Sequence, residues 1–348
     1  MGTKKRVGIV FGGRSGEHEI SLLSAYNVIK ALDTDSFEAT YVGITEQGEW
    51  LLYTGDPENI PDGSWQADAS TAAPVGSLFD GPLSDIDIFF PVLHGTYGED
   101  GTIQGLFEMM GKAYVGCGVL ASAACMDKSI TKAILRPLGI PMAYGLVLDS
   151  AHEAIEKIES ELEYPVFVKP SSLGSSVGVS KAYDRQLLAH AINEAFIYSS
   201  KVLVEEFIDG FEIEAAVLGN EDPIFCGIGQ IVPCNDFYDY DAKYLRGDDS
   251  EVIIPAQIPE QAEEEIRQTA LKAYREMGLS GLSRLDFFYT KDGRVVLNEI
   301  NTMPGFTNIS MYPKLCANAG IPYSELISRL ISLGFERHAK KNELKYKR

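Results

Sequence analysis

Residues 294–306 read RVVLNEINTMPGF, and this stretch carries fold and site together. It opens as a strand at Val295, Val296 and Leu297 and ends by presenting Glu299 and Asn301, two positions apart. Residues two apart on a strand share a face. A carboxylate and an amide oxygen side by side, before a Pro-Gly turn, suit a hard cation. Just upstream, residues 282–289 (LSRLDFFY) read as the partner strand, and TKDG at 290–293 as the hairpin link. In a regular register Tyr289 faces Arg294, Asp286 faces Leu297 and Arg284 faces Glu299. That gathers Arg284, Asp286, Glu299 and Asn301 on one face. Phe288, Val295 and Leu297 fall there too, so the face is not simply polar. The plainer reading is the solvated side of an antiparallel sheet. Three oxygen donors and an arginine among apolar residues fit a Mg²⁺–phosphate site, where the cation keeps positions open for substrate phosphates. A one-residue bulge would break this register.

The chain has 348 residues, enough for about two or three domains. Its 45% hydrophobic and 23% charged residues are ordinary for a soluble globular protein. A net charge of −20 argues against a nucleic-acid partner, which demands basic surface, but leaves room for a nucleotide in a local basic pocket. The five cysteines include no Cys-x-x-Cys, which fits reduced thiols in a cytoplasmic protein better than a disulfide framework or zinc site. No apolar run is long enough for a signal peptide or a membrane span, so no membrane association is expected.

Along the chain, residues 6–11 read as a buried strand running into Gly12-Gly13, followed by a helix at 21–32 and strands at 37–44 and 86–92. This alternation predicts a parallel, doubly wound N-terminal domain over residues 1–122. Ligands of such sheets sit beyond the carboxyl ends of the strands. Two glycine-rich segments fall there, GGRSGEHEIS at 12–21 and HGTYGEDG at 94–101. A helix at 120–138 leads into a second unit, 123–209, with strands at 166–169 and 202–206 around a helix at 185–197. The third unit, 210–348, holds a polar loop at 233–250, a helix at 259–277, the hairpin and the final helices. The fold class is thus mixed α/β and α+β.

Lys169 ends a strand and is followed by PSSLGSSVG, a loop whose backbone N–H groups and Ser175 and Ser176 hydroxyls could donate to a triphosphate while the lysine neutralises charge. Gly-Lys-Ser/Thr is absent, so it is not a Walker loop; a flexible surface turn is the alternative. The strand end VEEFI at 204–208 could read an adenine edge and ribose hydroxyls, and Glu212 and Glu214 continue its acidic pattern. The loop at 235–247, NDFYDYDAKYLRG, is unusually aromatic and reads as a lid or as a loop packed on a neighbour. Glu19 and His94 are plain residues that gain interest from their position at successive strand ends.

As a set, these segments match a known pattern. GGRSGEHEISLLSA, FPVLHGTYGEDGTIQGLFE, MDKSITK, VKPSSLGSSVGVSK, LVEEFIDGFEIE, FYDYDAKY, SRLDFF and LNEINTMPGFTNISMYP run through nearly the whole chain in order. The chain resembles the ATP-grasp superfamily and, within it, the D-alanine–D-alanine ligases. The resemblance implies three domains, a Rossmann-like first domain, ATP between the second and third, and a cytoplasmic homodimer working on D-alanine and ATP in peptidoglycan precursor synthesis. It implies that Asp286, Glu299 and Asn301 hold two Mg²⁺ ions, with Mn²⁺ as a substitute, and that Lys128, Lys169 and Lys243 bind phosphate. It assigns Glu205, Glu206, Phe207, Ile208, Glu212, Phe288 and Asn298 to the nucleotide. It gives the first substrate's ammonium to Glu19 with His94 nearby. Ser175 and Tyr244 would tie loop and lid to Glu19, Arg284 and the Gly305 N–H would form the oxyanion site, and Ser310 and Met311 would read the second substrate.

Rival readings remain at this stage. D-alanine–D-serine and D-alanine–D-lactate ligases share the pattern; Tyr244 and the SMYP at 310–313 argue for D-alanine, whereas GITEQGEW at 43–50 resembles the D-serine type. A dinucleotide-dependent oxidoreductase would need Gly-x-Gly-x-x-Gly, but the first turn is GGRSG. A non-catalytic nucleotide-binding module would be expected to lack some of Lys169, Asp286, Glu299 and Asn301.

Overall fold

The run VGIVF lies at the centre of β1 (Lys5–Gly12), and Val7, Ile9, Val10 and Phe11 are fully buried, as a strand covered on both faces requires. The computed structural model describes residues 4–151, 155–174, 177–233 and 250–345. After α1 (His18–Ala31), the first sheet continues with β2 (Phe37–Ile44), β3 (Trp50–Tyr53), β4 (Ala72–Pro74), β5 (Ile88–Pro91) and, past α2 (Thr102–Met109), β6 (Ala113–Tyr114). The order is β4-β3-β2-β1-β5-β6. β1, β2, β5 and β6 are parallel, but β3 and β4 add an antiparallel edge. The all-parallel expectation is corrected there, because those two strands are too short to show a period.

The single helix expected at 120–138 is broken into α3 (Val119–Met126) and α4 (Lys128–Leu135). Asp127 leaves the helical region and its carboxylate accepts from the N–H groups of Ser129 and Ile130, a side-chain cap. The break sets Lys128 at the first turn of α4.

The second sheet comprises β7 (Gly145–Leu148), β8 (Val166–Pro170), β9 (Ser180–Ala182) and β10 (Val202–Glu206), with α5 (Ile155–Glu161) and α6 (Arg185–Tyr198) on one face. Strand alternation buries Val166, Val168, Val202 and Val204 against Leu188 and Ile192. Phe167, Lys169 and Glu205 take the other face.

The third sheet is antiparallel: β11 (Gly210–Gly219), β12 (Ile224–Pro233), β13 (Ser250–Ile253), β14 (Gly281–Thr290) and β15 (Val295–Asn301), in the order β13-β12-β11-β14-β15. Ala262, Ile266, Ala270 and Ala273 line one stripe of α7 (Glu260–Glu276) and cover Ile213, Ala215, Leu285, Phe287 and Leu297. α8 (Met311–Asn318) and α9 (Tyr323–Asn342) close the chain. Leu326, Ile327, Leu330 and Ile331 of α9 join Val7, Ile9 and Ile88 of the first sheet in one core. The last helix therefore packs on the first sheet, not only on the third unit from which it emerges.

The hairpin register differs from the regular one. Arg284 pairs with Asn301 and Asp286 with Glu299, while Phe287 pairs with Leu297, leaving Asn298 as an extra residue. This bulge turns Val295 and Leu297 to the α7 side. Val296 instead shares the site face with Phe288, in a small apolar cluster with Ala143 and Ile208.

Candidate active site

A cavity of about 500 Å³ opens between the second and third sheets. Lys128, Lys169, Glu205, Glu206, Phe207, Ile208, Glu212, Phe288, Asn298 and Glu299 all line it. A larger groove of about 1220 Å³ lies along α9, where Arg329 is already paired with Glu325 at 2.5 Å. Chemistry, not size, selects the smaller one. Lys169 Nζ sits 2.9 Å from Glu205 and donates to Asn298 Oδ1 at 3.1 Å. Lys128 Nζ donates to the carbonyl of Leu173 at 2.5 Å and lies 3.5 Å from Glu299. The bulge explains the geometry: consecutive Asn298 and Glu299 both reach the cavity and meet one lysine each.

Glu205 does not present a free carboxylate to a nucleotide, as the strand-end reading expected. It is 2% exposed and held by two ammonium groups, Lys132 at 2.5 Å and Lys169 at 2.9 Å. Burial works to raise its pKa, but the two lysines override this and hold it down to about 2. Lys132, drawn down by burial and held up by Glu205, also donates to the carbonyl of Ala143. Glu206, at the cavity edge, accepts from the N–H of Tyr144. The base-sized space is bounded instead by Phe207, Ile208 and Phe288.

Across β11, β14 and β15 the pairing aligns Glu214, Asp286 and Glu299 in one row. Carboxylate oxygens of Glu212, Glu214 and Asp286 lie within 4.8 Å of one another. Arg284 grips Asp286 through two 2.7 Å bonds and approaches Glu214 at 3.1 Å, and Asn301 donates its amide to Asp286 at 3.0 Å. A convergent set of hard oxygens, linked through Glu299 to Lys128, fits a divalent cation such as Mg²⁺. Glu214 belongs to this row and was not among the expected ligands; the β11 register that adds it needs the tertiary pairing.

On the first sheet's loops the acid that faces the cleft is Glu17, not Glu19. Glu17 is 8% exposed, at the N-cap of α1, while Glu19 points outward into solvent. A Cβ on Gly95 would stand 2.4 Å from Glu17 Oε2, and one on Gly174 3.5 Å, so both glycine loops close on this carboxylate. Two residues along a helix turn a side chain through about 200°, which separates the two acids. His94 is also displaced from its expected role. Both ring nitrogens are occupied, Nδ1 with the carbonyl of Met303 and Nε2 with Ser24 Oγ, each at 3.0 Å, and it is 3% exposed. Burial pulls its pKa down to about 4. Beside it, half-buried Glu99 accepts from the N–H groups of Gly95 and Met303. Burial first, and the Glu17 charge second, push its pKa up to about 8.

Comparison with known proteins matches this geometry to one family. Residues 6–117 fit the family model for the D-ala D-ala ligase N-terminus, and residues 135–332 that for its C-terminus. The chain belongs to the D-alanine–D-alanine ligase family. It is 50% identical to the D-alanine–D-alanine ligase of Ruminiclostridium cellulolyticum over 97% of this chain and 96% of the relative. It is 46% identical to D-alanine–D-alanine ligase A of Escherichia coli over 98% and 99%. Among solved structures, the VanG D-Ala:D-Ser ligase from Enterococcus faecalis superposes with TM-score 0.88 at 39% identity, covering 95% of this chain and all (100%) of that one. The D-alanine–D-alanine ligase from Coxiella burnetii gives 0.87 at 34% identity, covering 98% and 97%. The fold is accordingly the ATP-grasp fold of this family.

Of the remaining expected residues, Gly305 lies buried in the turn after β15, and Ser310 bonds back to Thr307 through the Thr307 N–H at 3.0 Å. Met311 is 4% exposed and lies flat on Gly229 of β12, where a Cβ would stand 2.3 Å from its sulfur. Ser175, Ser176, Lys243 and Tyr244 lie outside the described residues. Sequence reasoning missed Glu17, Ser24, Glu99, Lys132 and Glu214. The first acid of GEHE was the available signal for Glu17; Ser24, Glu99, Lys132 and Glu214 lie within the quoted motif segments, but nothing local sets them apart from their neighbours.

Proposed function

We propose that this enzyme joins two D-alanine molecules into D-alanyl-D-alanine at the expense of ATP, through an acyl phosphate, to supply a peptidoglycan precursor. The observation that carries the reading is the cavity lined by Lys128, Lys169 and Glu299, the last in one row with Asp286 and Glu214, with Glu17 closing on it from the first sheet. ATP occupies that cavity, its base between Phe207, Ile208 and Phe288 and its phosphates under the two lysines, with Lys243, Ser175 and Ser176 completing the set. Asp286, Glu299 and Asn301, joined by Glu214 and Glu212, would hold two Mg²⁺ ions. When bound, the metal neutralises the charge that phosphoryl transfer concentrates on the phosphate oxygens.

Glu17 takes over the role assigned to Glu19 and holds the first D-alanine's ammonium, directing its carboxylate to the γ-phosphate. Transfer converts a carboxylate, which would have to expel oxide, into an acyl phosphate that expels phosphate. The second D-alanine's amine then attacks. Arg284 and the Gly305 N–H stabilise the tetrahedral oxyanion, where loss of one such donor costs roughly 10²–10³ in rate. Ser310 and Met311 bound the second substrate, and Tyr244 with the lid excludes water. Use of ATP puts the reaction in the cytoplasm, and the working unit is a homodimer, to be checked by light scattering. The experiment is ADP release with D-alanine alone or with D-serine or D-lactate competing. D-alanine-dependent ADP release with D-alanyl-D-alanine as the main product is expected; a predominant mixed dipeptide or depsipeptide would reassign the second subsite.

A further inference from the structure

We infer that Ser24, His94 and Glu99, three side chains of the first sheet's layer, are positioning residues that clamp residues 303–306 and so aim the Gly305 N–H. This rests on the reading of Gly305 as an oxyanion donor.

The directions of the bonds follow from the partners. The carbonyl of Met303 can only accept, so His94 Nδ1 carries the proton and donates to it at 3.0 Å. Nε2 is then the bare acceptor, and the Ser24 hydroxyl must donate to it at 3.0 Å. That leaves a Ser24 Oγ lone pair to accept from the Phe306 N–H at 3.2 Å. Glu99 accepts from the Met303 N–H at 3.0 Å and from the Gly95 N–H at 3.1 Å. Tyr323 of α9 adds a 2.7 Å bond to the carbonyl of Phe306. Met303 and Phe306 are thus each held at both N–H and C=O. Between them Pro304 has no N–H, and the Gly305 N–H has no partner among the described residues. A turn tied on both flanks, with one donor left over in its middle, is a preorganised donor.

Nothing here belongs to the sheet ladders, and Ser24 and His94 are 0% and 3% exposed. Their polar groups are spent on this turn. The turn itself is bolted to the layer that carries Glu17, so the first substrate and the oxyanion donor share one frame.

The test is Ser24→Ala, which removes both the acceptor for Phe306 and the donor for His94. Misplacing a reacting group by about 1 Å costs on the order of 10² in rate, and a fall of that order in kcat is expected. The KM for ATP is expected to stay within about twofold. Acyl-phosphate formation, read from D-alanine-dependent ¹⁸O scrambling between the β,γ-bridge and β-nonbridge positions of ATP, is expected to persist. A general packing defect would slow scrambling and turnover together, and that result, or an unchanged kcat, would overturn the clamp. If Ser24→Ala does not fold, His94→Asn serves instead. Its amide can still donate to Met303 but no longer reaches Ser24, so the same split is expected. Absence of scrambling in the unaltered enzyme would strike the acyl-phosphate reading itself, a separate outcome.

Discussion

The two sides of the cleft hold their functional groups by opposite means. The nucleotide-cavity side sets charge against charge: Lys169 of β8 and Lys132 of α4 on Glu205, Lys128 of α4 on Glu299, Arg284 on Asp286 and Glu214. The first sheet's loops carry one charge, Glu17, and around residues 303–306 set uncharged groups, with His94 held below its ordinary range and Glu99 above it. A side that stabilises transferring phosphate needs full charges. A side that only positions is better built from hydrogen bonds, whose direction is defined and which leave the field in the cleft to the ions.

The largest expected effect breaks the charged side alone. Glu299→Gln should lower turnover by at least about 10³-fold, a loss near 4 kcal/mol of transition-state stabilisation, with the melting temperature retained. Near-normal turnover at saturating Mg²⁺ would remove the carboxylate row from the chemistry.

Acid should separate the sides by stability. His94 titrates at 6.5 when unfolded and at about 4 in the fold, so the unfolded chain binds the extra proton between these values. Stability therefore falls as pH drops through that window, by about 3 kcal/mol. Glu205 shifts in the same direction at lower pH: its folded pKa of about 2 lies below 4.5, so its contribution is full above 4.5 and is lost as pH falls toward 2. Glu99, raised to about 8, works the other way and gains stability as pH falls toward 4.5, so the His94 loss is read as a difference: in unfolding midpoints measured from pH 7 to 3, His94→Asn should lose less stability than the unaltered chain between pH 6.5 and 4.

Next comes the first substrate. Glu17→Gln should raise the KM for the first D-alanine about 10²-fold by removing a buried charge partner, whereas Glu19→Gln should leave steady-state kinetics unchanged. Equal effects would return the role to Glu19.

The smallest effect sharpens the second subsite. Gly229 has an ordinary backbone conformation, so Gly229→Ala is conformationally tolerated, but its Cβ would strike Met311. We expect a change of about tenfold or less in the KM for the second D-alanine, the scale of a one-methylene adjustment, with ATP affinity unmoved. Competition with D-serine would report it.

Much of this was legible in one dimension because it is local. The β14–β15 hairpin, the strand ending in Lys169 and the acidic strand end at Glu205 each declare themselves within a few residues. The register between β14 and β15 did not, since a bulge at Asn298 costs little and leaves no mark in the alternation. Glu17 and Glu19 are equivalent in a string and differ only once α1 fixes its first turn. Sequence by itself determined the family and the layered α/β architecture, and marked Lys128, Lys169, Asp286 and Glu299 as candidates for phosphate and metal, because motif chemistry and strand period are short-range properties. Tertiary structure alone decided which acid faces the cleft, that Glu214 completes the carboxylate row, that Lys132 shares Glu205, and that Ser24, His94 and Glu99 hold the turn at Gly305. Those pairs are separated by tens to hundreds of residues, and only the packing of the sheets brings them within bonding distance.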